Sequence, residues 1–192
     1  MYESMIESIM PIAASVGHSP WAIGLNEASR NAIKNDPTWN NGNYKNQPVN
    51  GFSLARKIAM LTYRSYDSFN LKFGREKSKN NGFFEVESYL NYQGDKISKR
   101  FDANSYIYLS LAMDNHDVGS NRGGIEKALK KIKCKTEIVG ISSDVLYPVE
   151  EQKSIASLIP NASYSEIKSK HGHDSFLIEF EQVDKIIRNF LN

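Results

Sequence analysis

The last third of the sequence alternates helical and strand-like segments, and this alternation constrains the fold more than any other feature. Thr136–Ile141 is a short apolar strand, and Ser163–Ile167 is a second candidate strand. Helical segments precede, separate and follow them, at Ile125–Lys133, Pro148–Leu158 and Glu181–Leu191. Helices that alternate with strands predict the α/β class, with a parallel sheet covered by helices.

The first part of the chain has a different organisation. Ile6–Ala14 is typical of a short buried strand, and Ser19-Pro20 is typical of a helix N-cap followed by proline. The segment from residue 16 to residue 124 is mostly helical. We therefore predict a core formed by residues 1–15 and 125–192, with residues 16–124 inserted as a helical unit.

Within that insertion, the pattern predicts three more helices separated by polar breaks. Their predicted spans are Phe52–Phe73, Phe84–Phe101 and Asn104–Asn115. Residues 36–50 are rich in Asn, Gly and Pro and predict a loop, and residues 74–82 predict a solvated linker.

Composition excludes several classes of function. A net charge of +2 is too small to indicate nucleic-acid or membrane binding. The apolar stretches are too short for a transmembrane helix, and the acidic first residues are not typical of a secretory signal. The single cysteine, Cys134, makes no internal disulfide, so a cytoplasmic location is expected.

An acid and a histidine follow the two C-terminal strands. Asp144 comes just after Thr136–Ile141, and His173 follows Ser163–Ile167 within Gly172-His173-Asp174. Sites in open α/β sheets form at the carboxyl ends of strands. In the chain order Ser, Asp, His, this layout matches the last two members of an α/β-hydrolase triad. Each residue alone fits a surface acid or a capping histidine better than a catalytic group. Together, with Asp144-x-x-x-Pro148 opening a helix, they favour the triad.

The sequence has no G-x-S-x-G turn that would supply the nucleophile. Gly140-Ile-Ser142 and Gly51-Phe-Ser53 resemble fragments of one, but their contexts favour chance. Arg56 and Tyr63 are seven residues apart, which places them on one face of a helix, where spacing alone favours a surface arginine and a half-buried tyrosine. His171-x-His173 lacks the further ligands that a metal site needs, so no metal is expected.

Several motifs together resemble the homoserine O-acetyltransferase family of α/β-hydrolase enzymes. They include Asn-Asp-Pro-Thr-Trp-Asn-Asn-Gly-Asn-Tyr, Ser-Leu-Ala-Arg-Lys-Ile-Ala-Met-Leu-Thr-Tyr-Arg-Ser, Phe-Glu-Val-Glu-Ser-Tyr-Leu-Asn-Tyr-Gln-Gly, Arg-Phe-Asp-Ala-Asn-Ser-Tyr and Gly-His-Asp-Ser-Phe-Leu. The resemblance implies a partial α/β-hydrolase fold, in which the helical unit is a lid that also forms a homodimer.

The resemblance also implies a role for each candidate residue. Asp144 and His173 would be the acid and base of the triad. Arg56 would bind the homoserine carboxylate, Asp174 would pair with its amine, and Tyr63 would lie near the substrate. Acetyl-CoA would be the acyl donor, and no bound cofactor is implied.

The family's Gly-x-Ser-Met-Gly-Gly elbow is absent from this sequence and is expected just upstream of the segment that matches Met1–Ile12. The isolated chain is therefore expected to lack activity, and a separate N-terminal fragment is a possible partner. Two alternatives remain open: a related enzyme that uses succinyl-CoA or serine, and a non-catalytic fragment for dimerisation or regulation.

Overall fold

A computed structural model describes residues 5–79 and 82–192 of the chain. Residues 1–4 of the predicted core and Asn80 and Asn81 of the predicted linker lie outside the described residues. In chain order the elements are β1 (Ser8–Ile9), α1 (Pro20–Lys34), α2 (Val49–Thr62), α3 (Tyr66–Phe73), α4 (Glu85–Ile97), α5 (Ala103–Asp114), α6 (Ile125–Leu129), β2 (Lys135–Ile141), α7 (Val149–Leu158), β3 (Ala162–Ile167) and α8 (Phe180–Leu191), with 3-10 helices at Pro37–Gly42 and His173–Leu177.

The elements form two compact units. The first contains the described residues up to Gly17, together with Tyr63–Ser65 and His116–Asn192. The second contains His18–Thr62 and Tyr66–Asn115. The sequence-based boundaries had placed all of residues 16–124 in the helical insertion. The structure places three segments of it in the first unit, namely residues 16–17, Tyr63–Ser65 and residues 116–124.

The first unit is built on a three-stranded parallel sheet in the order β1-β2-β3. The register pairs Ile141 with Ile167, so β2 and β3 end side by side. Helices cover both faces of the sheet. On one face Val139, Ile141 and Ile167 pack against α8, and on the other face Ile138 packs with residues of α6 and α7. The predicted α/β class with a parallel sheet is confirmed.

The first strand is shorter than the sequence predicts. The pattern predicts a strand over Ile6–Ala14, but β1 has two residues, and a single bridge from Ile12 to Val139 continues the pairing. Pro11 has no N–H to donate, although its carbonyl accepts from the Val139 N–H at 3.0 Å. Ala13 then has a φ of 46°, which ends the extended backbone. The prediction of a continuous strand is wrong for this reason.

The described residues of the second unit form helices and their connections, with an isolated antiparallel bridge between Lys77 and Phe84. The core of this unit consists of apolar side chains from α1, α2, α4 and α5, namely Ile33, Phe52, Ala55, Ile97, Ala103 and Ile107. The predicted N-cap of α1 is confirmed, because the Ser19 hydroxyl accepts a hydrogen bond from the Ala22 N–H. Gly94 lets α4 approach α2 closely, since a β-carbon there would lie 2.2 Å from the Ser53 hydroxyl oxygen. None of the helices formed by the described residues is long and apolar enough to cross a membrane.

Two predicted helices are too long. The helix predicted over Phe52–Phe73 is divided into α2 and α3 by the non-helical segment Tyr63–Ser65. The helix predicted over Ile125–Lys133 ends at Leu129 as α6, and the chain then turns directly into β2. Both breaks lie in stretches without glycine or proline. Because no residue there strongly disfavours a helix, the sequence predicts that each helix continues past its actual end.

Candidate functional site

Asp144 lies in the loop that follows β2. Asp144 is buried, and the two oxygen atoms of its carboxylate have different hydrogen-bond partners. The Oδ1 atom accepts hydrogen bonds from the Leu146 N–H at 2.8 Å and the Tyr147 N–H at 3.0 Å. These bonds to the following backbone form an Asx-type turn and fix the orientation of the carboxylate. The Oδ2 atom is thereby directed away from the turn.

His173 lies in the loop that follows β3 and begins a 3-10 helix. It is preceded by Gly172, whose φ of 77° lies in the left-handed region. A β-carbon on Gly172 would lie 2.6 Å from backbone atoms of Arg64 and Ser65. Only glycine therefore fits at this position, and it sets the direction in which the imidazole leaves the backbone.

The structure brings Asp144 and His173 together. The Oδ2 atom of Asp144 and the Nδ1 atom of His173 are 2.8 Å apart. The carboxylate side chain is completely buried, and the imidazole is 18% exposed. A carboxylate acceptor at Nδ1 favours the tautomer with a proton on Nδ1, which leaves a lone pair on Nε2. We refer to these two residues as the acid–histidine pair.

Serine side chains connect the two loops that carry the pair. The Ser142 hydroxyl donates to the Ser169 carbonyl and accepts from the Ser169 N–H, both at 3.0 Å. The Ser143 hydroxyl accepts from the Gly172 N–H at 2.9 Å. Sequence analysis missed these residues as positioning groups. The available signal was that serines follow both neighbouring strands, in Ser142-Ser143 and at Ser169.

Three aromatic rings surround the imidazole of His173. The ring centroid of Tyr147 is 5.4 Å away, that of Phe176 5.8 Å and that of Tyr63 6.0 Å. Phe176 meets the imidazole at 80°, edge to face. These rings restrict the imidazole to a narrow range of orientations and reduce its contact with water. Tyr147 and Phe176 were not among the predicted site residues.

The remaining predicted site residues are distributed over both units. Tyr63 lies beyond the end of α2, so the prediction that Arg56 and Tyr63 share one helical face is wrong. The Tyr63 carbonyl accepts a hydrogen bond from the Asp174 N–H at 3.1 Å, which fixes Asp174 beside the acid–histidine pair. Arg56 lies in α2 and belongs to the second unit. The roles assigned to these residues stay predictions.

The two serines in the elbow-like sequence fragments take part in packing and loop contacts. Ser53 lies inside α2, in the contact with Gly94 of α4. Ser142 belongs to the loop connection with Ser169. In the described part of the chain, no three His, Cys, Asp or Glu side chains are grouped in a way that could hold a metal ion.

The fold resembles solved α/β-hydrolase structures, whereas no family model matches the chain. The superposition on a homoserine O-acetyltransferase from Bacillus anthracis covers all of this chain and 54% of the solved chain, with a TM-score of 0.91 and 22% sequence identity. The superposition on an acetylester hydrolase from Corynebacterium glutamicum covers all of this chain and 56% of the solved chain, with a TM-score of 0.86 and 22% sequence identity. The parallel sheet, its covering helices and these matches define part of an α/β-hydrolase fold.

Sequence comparison narrows this class to one family. A homoserine O-acetyltransferase of Chloroherpeton thalassium is 49% identical over 99% of this chain and 50% of its own length. One from Nostoc punctiforme is 47% identical over 98% of this chain and 54% of its own length. The chain belongs to the homoserine O-acetyltransferase family, and it spans about half the length of the curated relatives that it matches.

Proposed function

We propose that this chain supplies the acid and the base of an enzyme that transfers an acetyl group from acetyl-CoA to the hydroxyl of L-homoserine. The observation that carries the proposal is the 2.8 Å hydrogen bond of the acid–histidine pair, in a chain 49% identical to a homoserine O-acetyltransferase. The nucleophilic serine would come from polypeptide outside these 192 residues.

In the proposed mechanism, His173 moves protons through Nε2 while Asp144 holds Nδ1. Nε2 takes the proton of the serine hydroxyl as its oxygen attacks the thioester carbonyl, and Asp144 stabilises the imidazolium that forms. The imidazolium then protonates the departing thiolate of CoA, which leaves an acetyl-serine. In the second half, Nε2 deprotonates the homoserine hydroxyl, which attacks the acetyl-serine, and the serine oxygen recovers the proton.

The acceptor would be held by groups of opposite charge. An amino acid carries a carboxylate and an ammonium, so it needs a cation and an anion in the site. We assign the carboxylate to Arg56, whose guanidinium can make two parallel hydrogen bonds, and the ammonium to Asp174. The contact of the Asp174 N–H with the Tyr63 carbonyl supports a fixed place for Asp174 next to His173. Tyr63 would add a hydroxyl near the substrate.

The proposal includes a homodimer formed through the helical unit. Its support is the outer face of α5, where Tyr108, Leu109, Leu111 and Met113 are exposed although the helix also buries Ala103 and Ile107. A helix that is apolar on both sides normally has a second partner. The reaction is placed in the cytoplasm, in keeping with a single cysteine.

The test is a chimera that joins this chain to the part of the Chloroherpeton thalassium relative that it does not match. We expect the chimera to form acetyl-homoserine from acetyl-CoA, and to prefer this pair over succinyl-CoA or L-serine. His173→Ala should abolish turnover, and Asp184→Ala, which changes an exposed residue of α8 in the same unit, should not. A faster reaction with serine or succinyl-CoA would assign the chain to a related transferase. Turnover by the 192-residue chain alone would contradict the external serine.

A further inference from the structure

His173 lies on a loop that begins directly after β3 and ends at the first turn of α8. We refer to residues 168–182 as the histidine loop. Gln182 closes this loop at its base, because its side-chain oxygen accepts from the Lys168 N–H and its side-chain nitrogen donates to the Lys168 carbonyl, both at 2.9 Å. One side chain thus pairs with both backbone groups of a residue 14 positions earlier, as a neighbouring strand does in a sheet.

A second contact closes the histidine loop one residue further along. The Ser169 hydroxyl donates to one carboxylate oxygen of Glu179 at 2.7 Å, and Gln182 donates to the other at 3.2 Å. The Ser169 oxygen also accepts from the His171 N–H at 3.1 Å. Because a charged acceptor strengthens a hydrogen bond, Glu179 fixes the hydroxyl that holds the backbone two residues before the catalytic histidine.

Ser169 connects this network to the acid–histidine pair. Its backbone pairs with the Ser142 hydroxyl, which belongs to the loop that carries the acid. Further along the histidine loop, the Glu179 N–H donates to the Ser175 carbonyl at 2.8 Å, and Ser175 is completely buried in the 3-10 helix that begins at His173. Glu179 is therefore bonded to the chain both before and after His173.

We propose that Glu179 and Gln182 are positioning residues for His173, which hold its Nδ1 atom at the Asp144 carboxylate and aim its Nε2 atom at the reacting proton. The inference deepens the proposed function and rests on it for the identity of the reaction. The two side chains act through the backbone of the histidine loop. The 2.8 Å bond of the acid–histidine pair depends on the path of that loop, and a displacement of about 1 Å can reduce a catalytic rate by about 100-fold.

The polarity of the network makes the carboxylate of Glu179 specific. Both of its oxygens are acceptors, one for Ser169 and one for Gln182. In Glu179→Gln one oxygen becomes an NH2 group, so one of the two donors loses its acceptor. Gln182 cannot turn its amide over to compensate without losing both bonds to Lys168. The substitution therefore breaks the network while it leaves the side-chain volume nearly unchanged.

The first experiment observes the acid–histidine hydrogen bond without substrate. In NMR spectra of the 192-residue chain, the Nδ1–H proton of His173 should give a low-field resonance, assigned by its loss in His173→Ala. We expect this resonance to move upfield or broaden in Glu179→Gln and in Gln182→Ala. Glu181→Gln is the matched control, because it makes the same chemical change two residues away, at an exposed glutamate of α8, and it should leave the resonance unchanged.

Kinetics of the chimera provide the second readout. We expect kcat for acetyl-homoserine formation to fall by about tenfold or more in Glu179→Gln and to stay unchanged in Glu181→Gln. The KM for homoserine should change little, because the Asp174 N–H is held separately by the Tyr63 carbonyl. Ser169→Ala should cause a similar loss of kcat, and combining it with Glu179→Gln should add little, since both remove the same bond.

The two readouts separate this inference from the proposed function. The inference is overturned if the resonance of Glu179→Gln matches that of Glu181→Gln, or if an active chimera with Glu179→Gln keeps its kcat. A loss of kcat with an unchanged resonance also overturns it, because the effect then does not pass through the acid–histidine bond. A resonance that responds as expected, in a chain whose chimera transfers no acetyl group, contradicts the proposed function alone.

Discussion

At the residue scale, the acid–histidine pair makes a direct prediction for Asp144→Asn in the chimera. The asparagine still accepts from the Leu146 and Tyr147 N–H groups, so the loop is retained. Its amide cannot act as an anion at Nδ1, and it favours the wrong tautomer of His173. We expect kcat for acetyl-homoserine formation to fall by about 10⁴-fold, the size of effect found for this change in serine triads.

The control for this variant is Asp184→Asn, which changes an exposed aspartate of α8. Steady-state kinetics should show no change in kcat for the control. Equal melting temperatures for the two variants would show that the loss is chemical. An Asp144→Asn enzyme that retains more than about a tenth of kcat would remove Asp144 from the mechanism.

Gly172 makes a second prediction, on stability. In Gly172→Ala the new β-carbon meets the backbone of Arg64 and Ser65 at 2.6 Å, and the residue also has an unfavourable positive φ. Gly124 has a φ of 94° with no atom within 4 Å of a β-carbon, so Gly124→Ala measures backbone strain alone. We expect about 1 kcal/mol of destabilisation for Gly124→Ala and about 3 kcal/mol for Gly172→Ala. Urea denaturation measures both, and equal losses would contradict the close packing around Gly172.

The sequence allows Asp144 and His173 to be singled out, because each follows a predicted strand and parallel strands end at one edge. It does not reveal Ser142, Ser143 or Ser169 as the side chains that connect the two loops. Their hydrogen bonds depend on which loop atoms face one another, and this follows from three-dimensional packing. Serine is also common in loops, so its presence there does not predict a particular partner.

At the scale of elements, a buried polar network joins α1 and α5 in the second unit. The Asp114 carboxylate accepts from Arg30 at 2.6 Å, from Asn26 at 2.7 Å and from His18 at 2.9 Å. Arg30 also donates to the Ser110 hydroxyl at 3.2 Å. Burial acts to raise the pKa of Asp114, but the hydrogen bonds from Asn26, His18 and Arg30 outweigh it and hold the pKa below its usual value.

This lowered pKa predicts how stability depends on pH. A carboxyl group whose pKa is lower in the folded state stabilises the fold above its unfolded pKa of about 3.9, and this contribution is lost as pH falls through the folded pKa. Below about pH 4, the unfolding free energy of Asp114→Asn should therefore fall less steeply with decreasing pH than that of the unmodified chain. The substitution should also cost about 2 kcal/mol at pH 7, because the buried Arg30 guanidinium loses its bond to Asp114 and keeps only the half-exposed Glu27 carboxylate as an ion partner.

Denaturation of the chain at pH 7 and in the acid range measures both effects. Asp184→Asn serves again as the control, because its ion pair with Arg188 is exposed and screened by salt. An unchanged acid slope in Asp114→Asn would show that other carboxylates, such as Asp36 and Asp102, carry the dependence.

The elements themselves could be predicted where local signals are strong. Ser19-Pro20 identifies the start of α1, and the spacing of apolar residues identifies β2, α7 and α8. The break at Tyr63–Ser65 could not be predicted, because this non-helical segment is held by contacts with the loop that carries His173. The Ser65 hydroxyl donates to the Lys170 carbonyl, and the Asp174 N–H donates to the Tyr63 carbonyl. Such long-range contacts override helix propensity and leave no local trace in the sequence.

At the scale of the whole molecule, one exposed apolar surface makes a prediction about assembly. The outer face of α5, in the second unit, is assigned to a second copy of this chain. The apolar content of α5 could be seen in the sequence, but its orientation could not, because apolar residues occur all around this helix.

The dimer prediction is tested with the 192-residue chain alone. Leu109→Arg combined with Met113→Arg introduces two charges on the exposed side of α5, where the two side chains are one turn apart. We expect sedimentation velocity to show a dimer for the unmodified chain and a monomer for this variant, because burying two unpaired guanidinium groups in an interface is unfavourable. Leu71→Arg, at an exposed leucine of α3, is the matched control and should remain dimeric. A dimer that survives the α5 changes, or that is lost in the Leu71 control, would place self-association elsewhere on the chain.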